Sequence, residues 1–260
     1  MVQDEYAVIA GGSKGIGYAI AEALGKRNYH LVLIARHEDA LVMAKNNLES
    51  KYRIHVEILA KDLTDTSAAN DISNFCTQKN LYVKLLCNVA GIGGAKDYLS
   101  KSTEEMRLML RLNFESLIAL IASMLPQLEA NAPAYILNVA SMAGFAPIPI
   151  KNVYSASKSA VLFFSYSLHY QLKQKQVKVC CLCPGPVATK DEIVQDTMDK
   201  LGWLGKLMML DAQKVGEIAV KRTLNGRLVI VPGLVAGIFS VLLRILPRRL
   251  LAYIYYKLGR

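Results

Sequence analysis

Tyr154-Ser155-Ala156-Ser157-Lys158 places a phenol and an ammonium group four positions apart in a chain of 260 residues. On a helix, residues at that spacing share one face, one turn from each other. A phenol ionises at about 10 and is a poor proton donor or base at neutral pH. A cation one turn away favours the phenolate and is expected to lower that value. Such a Tyr can pass a proton to or from a carbinol oxygen. Thirteen residues earlier stands Ser141, in Asn138-Val139-Ala140-Ser141-Met142-Ala143-Gly144. A hydroxyl at the end of a strand can hydrogen-bond the same oxygen. Alone, Tyr-x-x-x-Lys is a common pattern whose ordinary reading is a surface pair. The neighbouring elements decide between the two readings.

Apolar runs alternate with helix-length segments, which predicts a parallel sheet with helices on both faces. Strands are expected at Tyr6–Ala10, His30–Ala35, His55–Leu59, Val83–Asn88, Ala134–Ala140, Val177–Cys183 and Arg227–Val231. Between the first strand and a helix over Ile16 to Lys26 lies Ala10-Gly11-Gly12-Ser13-Lys14-Gly15-Ile16-Gly17. Gly11 permits a tight turn, Gly15 lets backbone approach phosphates, and Gly17 allows close packing of helix on strand. The helix N-terminus then offers free N–H groups and a positive dipole end to a pyrophosphate. The second strand ends at Ala35-Arg36. An acid there would accept from a ribose 2′-OH, whereas Arg36 can pair a 2′-phosphate. Lys14 adds a second cation on that side, so NADP(H) is the expected cofactor.

The Gly-x-x-x-Gly-x-Gly turn and the Tyr-x-x-x-Lys pair together resemble the short-chain dehydrogenase/reductase family, over nearly the whole chain up to about Pro232. The resemblance implies a doubly wound, three-layer α/β/α Rossmann domain. It also implies roles for further residues. Asp62 would contact the adenine amino group with Leu63 nearby, although an Asp there can equally cap a helix ahead of Thr64. Asn88-Val89-Ala90-Gly91 is similar to the family's Asn-Asn-Ala-Gly, with Val89 in the second place, and would support the sheet beside the cofactor. Asn113 stands 28 residues before Ser141, which fits the family's catalytic Asn. That Asn interrupts a long helix, here starting at Ser102-Thr103-Glu104-Glu105, and joins the Lys in a proton relay. Pro184-Gly185-Pro186-Val187-Ala188-Thr189 matches a segment contacting the nicotinamide carboxamide and diphosphate, through Val187 backbone and the Thr189 hydroxyl. Ala10 stands where the family often has Thr.

The cofactor contacts expected are therefore Gly11, Ser13, Lys14, Gly15, Ile16, Gly17, Arg36, Asp62, Leu63, Asn88, Ala90, Gly91, Tyr154, Lys158, Pro184, Gly185, Val187 and Thr189. The catalytic set is Asn113, Ser141, Tyr154 and Lys158. Substrate is expected against Ser141, Met142, Phe145 and Tyr154, under an apolar lid over 190–210 that includes Trp203, Leu204 and Leu207. The substrate class implied is a hydrophobic ketone or secondary alcohol, of 3-oxoacyl or steroid type. A dinucleotide-binding sensor or scaffold without turnover is the alternative. The family commonly forms dimers or tetramers through helices matching 103–125 and 152–174, so a homodimer or homotetramer is expected.

Composition narrows the rest. The chain is 53% hydrophobic, with a mean hydropathy of +0.25. Met1 to Glu5 lacks a basic start and the following apolar run is short, so no secretory signal is expected. The five Cys are then read as reduced thiols in a cytoplasmic protein, and Cys180-x-x-Cys183 as buried structural Cys. His30, His37, His55 and His169 form no metal-ligand pattern, so no metal is expected.

The net charge of +10 is uneven. After Glu217 there is no acid, while Lys221, Arg222, Arg227, Arg244, Arg248, Arg249, Lys257 and Arg260 supply eight of the ten charges, leaving +2 for residues 1–217. These cations sit in aliphatic sequence rather than among polar and aromatic residues, which points away from nucleic acid and towards a membrane surface. Residues 1–233 are expected as the catalytic domain and 234–260 as an apolar, basic helical extension. That extension has two expected fates: lying in a bilayer surface, or packing on the body.

Overall fold

The computed structural model describes residues 3–93, 100–188, 195, 205 and 207–258. Six strands come first: β1 (Glu5–Ala10), β2 (His30–Ala35), β3 (Val56–Ala60), β4 (Tyr82–Asn88), β5 (Ala134–Val139) and β6 (Val177–Leu182). A two-residue pairing of β7 (Val187–Ala188) with β8 (Leu210–Asp211) follows, and β9 (Val229–Ile230) completes the main sheet. That sheet has seven parallel strands in the order β3-β2-β1-β4-β5-β6-β9. Its strands read as continuous apolar runs because both faces are covered. Ala7, Val8 and Ile9, for example, are all fully buried.

Helices α1 (Gly15–Gly25) and α2 (Glu38–Lys51) cover one face with α7 (Ala212–Leu224). The other face is covered by α3 (Ala68–Gln78), α5 (Ser116–Ala130) and α6 (Asn152–Gln171). Two apolar cores result, one on each side of the sheet. Fully burying one Leu or Ile side chain in such a core contributes about 1.5–3 kcal/mol. The Val161 and Leu162 pair therefore anchors α6 firmly behind its two chemical residues.

The chain order reverses between β1 and β4, whose carboxyl ends flank the glycine turn. Ligands of doubly wound sheets bind at such a switch point. The last strand is shorter than expected. Arg227 N–H still closes the end of α7 on Arg222 O, and Pro232 lacks a donor, so only Val229 and Ile230 pair with β6.

The helix starting at Thr103 is capped as its sequence predicts. Ser102 Oγ accepts from Glu105 N–H while the Glu105 carboxylate accepts from Ser102 N–H. It does not run through unbroken. After α4 (Thr103–Leu110), one π-helical turn spans Arg111–Glu115 before α5 begins. The whole run Thr103–Ala130 is apolar and long enough to cross a membrane by length and composition. Its apolar character has a use in the fold, since Leu117, Leu120, Ile121, Met124 and Leu128 pack into the core.

The C-terminal extension forms α8 (Leu234–Ile245) and α9 (Arg248–Leu258), joined at Leu246-Pro247. Ala236, Leu243 and Leu251 enter the same core as α6.

Candidate active site

The glycine turn is held by three strand ends. Gly11 N–H and Gly12 N–H donate to Ile34 O of β2, at 2.8 and 3.3 Å. The Ala10 carbonyl accepts from Val89 and Ala90 of the segment after β4, at 2.9 and 2.8 Å. Main chain thus makes the ties around Ala10 that a side-chain hydroxyl would otherwise reinforce. Gly11 has φ +91°, a conformation that favours glycine, and a Cβ there would lie 2.7 Å from Ala90 N. A Cβ on Gly17 would be driven into the Gly11 carbonyl oxygen. The first turn of α1 carries no acid, and Lys14 at its N-cap makes no side-chain capping bond. The N–H groups of that turn are therefore not blocked by a side chain, as an anion site requires. Lys14 and Arg36 are both exposed, and Arg36 follows Ile34 by two residues, beside the turn.

Local geometry decides the capping reading of Asp62. Its Oδ1 accepts from Thr64 N–H at 2.9 Å and from Thr64 Oγ1–H at 2.8 Å. The helix that follows begins only at Ala68, so Asp62 closes a turn rather than capping a helix. Those bonds, with the Arg36 charge adding, hold its carboxyl below the usual carboxylate range. Leu63 borders a cleft of about 120 Å³ shared with Thr64, Arg111, Ser116 and Leu120. A smaller recess between Leu63, Ala10, Asn88 and Ala90 continues it towards the glycine turn. None of Asn113, Ser141, Tyr154 and Lys158 lines either of them.

Asn88 does support the sheet. Its amide donates to Asn138 Oδ1 of β5 at 2.9 Å, and Asn138 donates to Ser165 Oγ of α6 at 3.0 Å. Asn88 and Asn138 are register partners, so the bond crosses directly between strands.

The four residues expected to carry proton chemistry meet at the carboxyl ends of β4 and β5. Asn113 sits in the π turn and is 1% exposed. Its Oδ1 accepts from Ile92 N–H at 2.8 Å and its Nδ2 donates to Ile92 O at 2.9 Å and to Ser157 Oγ at 3.1 Å. It clamps the loop after β4 from both sides of one residue. Gly91 separates Asn113 from Lys158: a Cβ there would lie 3.0 Å from Asn113 Oδ1 and 3.2 Å from Lys158 Nζ. Lys158, 4% exposed, donates to the Val139 carbonyl at 2.8 Å. Burial lowers its pKa to about 8, against a smaller upward pull from Cys181 and Cys183. Ser141 accepts from Ala143 N–H at 3.1 Å, which fixes its side chain at the strand end. It also lies near enough to the Tyr154 hydroxyl to draw that group's pKa down.

One expectation is overturned. The Tyr154 phenol stands above its ordinary value, not below it. Burial drives it up, and the nearby Ser141 hydroxyl opposes that only in part. The ammonium one turn away is engaged by Val139 O and is itself desolvated. Spacing alone cannot show that both members of the pair are removed from water.

Other expectations fall differently. Pro184 O accepts from Met142 N–H at 3.0 Å, and Gly185 approaches Met142 Sδ, so the two segments flank one another. Val187 lies on β7. Thr189, Trp203 and Leu204 lie outside the described residues, while Leu207 is exposed. Phe145 is only 4% exposed, packed beneath the Arg244 guanidinium 4.5 Å from its ring centroid. It joins body to tail rather than presenting an open wall to a substrate. Cys180 faces one core while Cys181 and Cys183 face the other, and all five Cys are free and buried.

Sequence reasoning missed Ser157 and Gly93. Ser157 is three residues after Tyr154 and accepts from Asn113, a position its own motif marks as the same helix face. A Cβ on Gly93 would lie 3.5 Å from the Tyr154 ring, a contact that no local pattern signals.

A model of the short chain dehydrogenase family matches residues 5–199. The chain belongs to that family. Among similar proteins, the mouse very-long-chain 3-oxoacyl-CoA reductase is 32% identical over 203 residues, covering 75% of this chain and 64% of that protein. An uncharacterized oxidoreductase of Staphylococcus epidermidis is 27% identical over 219 residues, covering 84% of this chain and 90% of its own. Among solved structures, a short chain dehydrogenase/reductase of Burkholderia phymatum in complex with NAD superposes with TM-score 0.81 at 22% identity, covering 94% of this chain and 92% of that one. A short-chain dehydrogenase of Sphingobium yanoikuyae in complex with NADPH gives 0.77 at 25% identity, covering 94% and 97%. The sheet order and flanking helices of this short-chain dehydrogenase are those of its structural neighbours. Family members of this kind act on CH–OH and C=O groups.

Proposed function

We propose that the chain is an NADP(H)-dependent reductase of hydrophobic ketones, working in reverse as a dehydrogenase of the matching alcohols. The observation that carries this reading is the meeting of Asn113, Ser141, Tyr154 and Lys158 beside the glycine turn. The residues present fit a dinucleotide: a bare Gly11–Gly17 cradle, an uncapped helix start, and exposed Lys14 and Arg36 for a 2′-phosphate. When bound, the nicotinamide supplies or accepts the hydride. Tyr154 gives its proton to the oxygen of the reduced carbonyl as general acid, and takes one back in the reverse direction. Ser141, close to the Tyr154 hydroxyl, orients and stabilises the same oxygen. Lys158 offers its remaining protons to the ribose hydroxyls, and Asn113 positions the loop that lies against both.

A 3-oxoacyl thioester is the favoured substrate class, since relatives with about a third identity carry that activity in their names. The exposed Leu108, Leu110, Phe163 and Tyr170 on α4 and α6 fit contact with a second copy. The test is oxidation of NADPH and NADH against medium-chain ketones and 3-oxoacyl thioesters. Turnover with NADPH preferred is expected. Tight dinucleotide binding with no turnover on any of these would instead support a sensor or scaffold.

A further inference from the structure

The helices α8 and α9 have two apolar sides. On α8 the inner side is Ala236, Ser240 and Leu243, each at most 3% exposed, with Ser240 Oγ–H closed on Gly237 O. On α9, Leu251 is buried at 2%. Two arginines fasten this inner side to the turn after Ser141. Arg248 Nη1 donates to Phe145 O at 2.6 Å and to Leu243 O at 2.8 Å, and Arg244 lies over the Phe145 ring. Packing on the body is therefore real.

It uses only half of α8. Leu234, Ile238 and Ile245 are 81, 59 and 73% exposed, and Val241 and Leu242 stand exposed between them. Those positions run i, i+4, i+7, i+8 and i+11, a single stripe along the outer side. Leu250, Tyr253, Ile254 and Leu258 of α9 are exposed as well. An apolar stripe of this kind marks a binding surface rather than ordinary exposure.

We propose that this outer face docks on a lipid bilayer bearing anionic headgroups. Charge selects the partner. Arg249 and Lys257 of α9 are exposed and not among the arginines that fasten the inner side, and the chain has no Asp or Glu after Glu217. A second copy would bring this acid-free cationic face against its own image, where like charges repel. Anionic lipid complements it. Tyr253 and Tyr256 are exposed aromatic residues of the kind that settle at headgroup depth. The 12 residues of α8 rise about 18 Å, short of the roughly 30 Å hydrocarbon core, so the helix lies in the surface. None of this depends on which reaction the chain performs.

The test is sedimentation of the full chain with phosphatidylcholine vesicles, with and without phosphatidylglycerol. The wild type is expected to pellet with the anionic vesicles and to be released as salt rises from about 0.1 M to about 1 M. Ile238→Glu with Ile245→Glu changes only exposed positions. It is expected to lower partitioning on the order of tenfold or more with an unchanged melting temperature. If that variant folds poorly, Arg249→Glu with Lys257→Glu tests the same face, with loss expected on anionic vesicles only. A wild type that stays in the supernatant with both vesicles overturns the proposal, as does a variant that pellets equally. A fall in solution mass of the Ile238/Ile245 variant without lipid would reassign the face to a second copy.

Discussion

The proton-transfer residues and the phosphate-side cations sit a few residues from the same switch point, yet they are prepared in opposite ways. Asn113 is tied to Ile92 twice and to Ser157, and Lys158 to Val139, while Tyr154 is buried beside Ser141. The Lys14 and Arg36 side chains are exposed and, among the described residues, no side-chain hydrogen bond or ion pair holds either. Proton transfer needs donor and acceptor held at hydrogen-bond distance, so its groups are fixed in advance by the fold. A phosphate can be met by long flexible cations that gain order only when it arrives, and that pairing supplies selectivity. Damage to the first region should alter rates; damage to the second should alter which dinucleotide binds.

The harshest break in that contrast is at the cradle both regions share. Gly17→Ala forces a methyl group into the Gly11 carbonyl, and neither side of the clash is a flexible side-chain end. A stability loss of about 3 kcal/mol and loss of measurable dinucleotide binding are expected, read by urea denaturation and NADPH fluorescence. Normal binding would show that the turn tolerates reshaping. Next comes Arg36→Asp, which removes one charge-assisted bond and adds repulsion. NADPH should weaken by about 3 kcal/mol with NADH little changed, as measured by titration. An unchanged preference between the two would move the 2′-phosphate site elsewhere.

The last of these tests sharpens the burial argument. Folded Lys158 has a pKa of about 8 against an ordinary 10.5, so between those values the unfolded chain holds a proton that the folded chain has released. Wild-type stability should then rise with pH across that window, relative to Lys158→Met, by up to about 1.4 kcal/mol per pH unit. Denaturant midpoints of both proteins at several pH values check this. Parallel curves would mean that Lys158 is better hydrated than its 4% exposure implies.

Much of this was legible before the structure. Strands buried on both faces write themselves as apolar runs, and six of the seven expected strands match β1 to β6 to within a residue at both ends. The glycine turn was legible because backbone sterics admit few residues there. The π turn at Asn113 was legible only by resemblance, since Arg111-Leu112-Asn113-Phe114 has no local signature of a widened turn. The Tyr154 shift was misjudged because spacing reports a neighbour's charge and not the loss of water. Phe145 read as a possible substrate wall because the arginines that cover it lie about a hundred residues further on. The tail's two fates looked exclusive in one dimension. In three, α8 is apolar on both sides, and packing by one leaves the other exposed.

The most direct test of the proposed chemistry is Tyr154→Phe. The substitution removes one hydroxyl and keeps the ring beside Gly93. Steady-state NADPH oxidation with a 3-oxoacyl thioester, paired with NADPH titration of the same protein, separates proton transfer from binding. The account predicts nearly unchanged NADPH affinity and a turnover loss of roughly a hundredfold or more. Near-normal turnover in the Phe variant would contradict it.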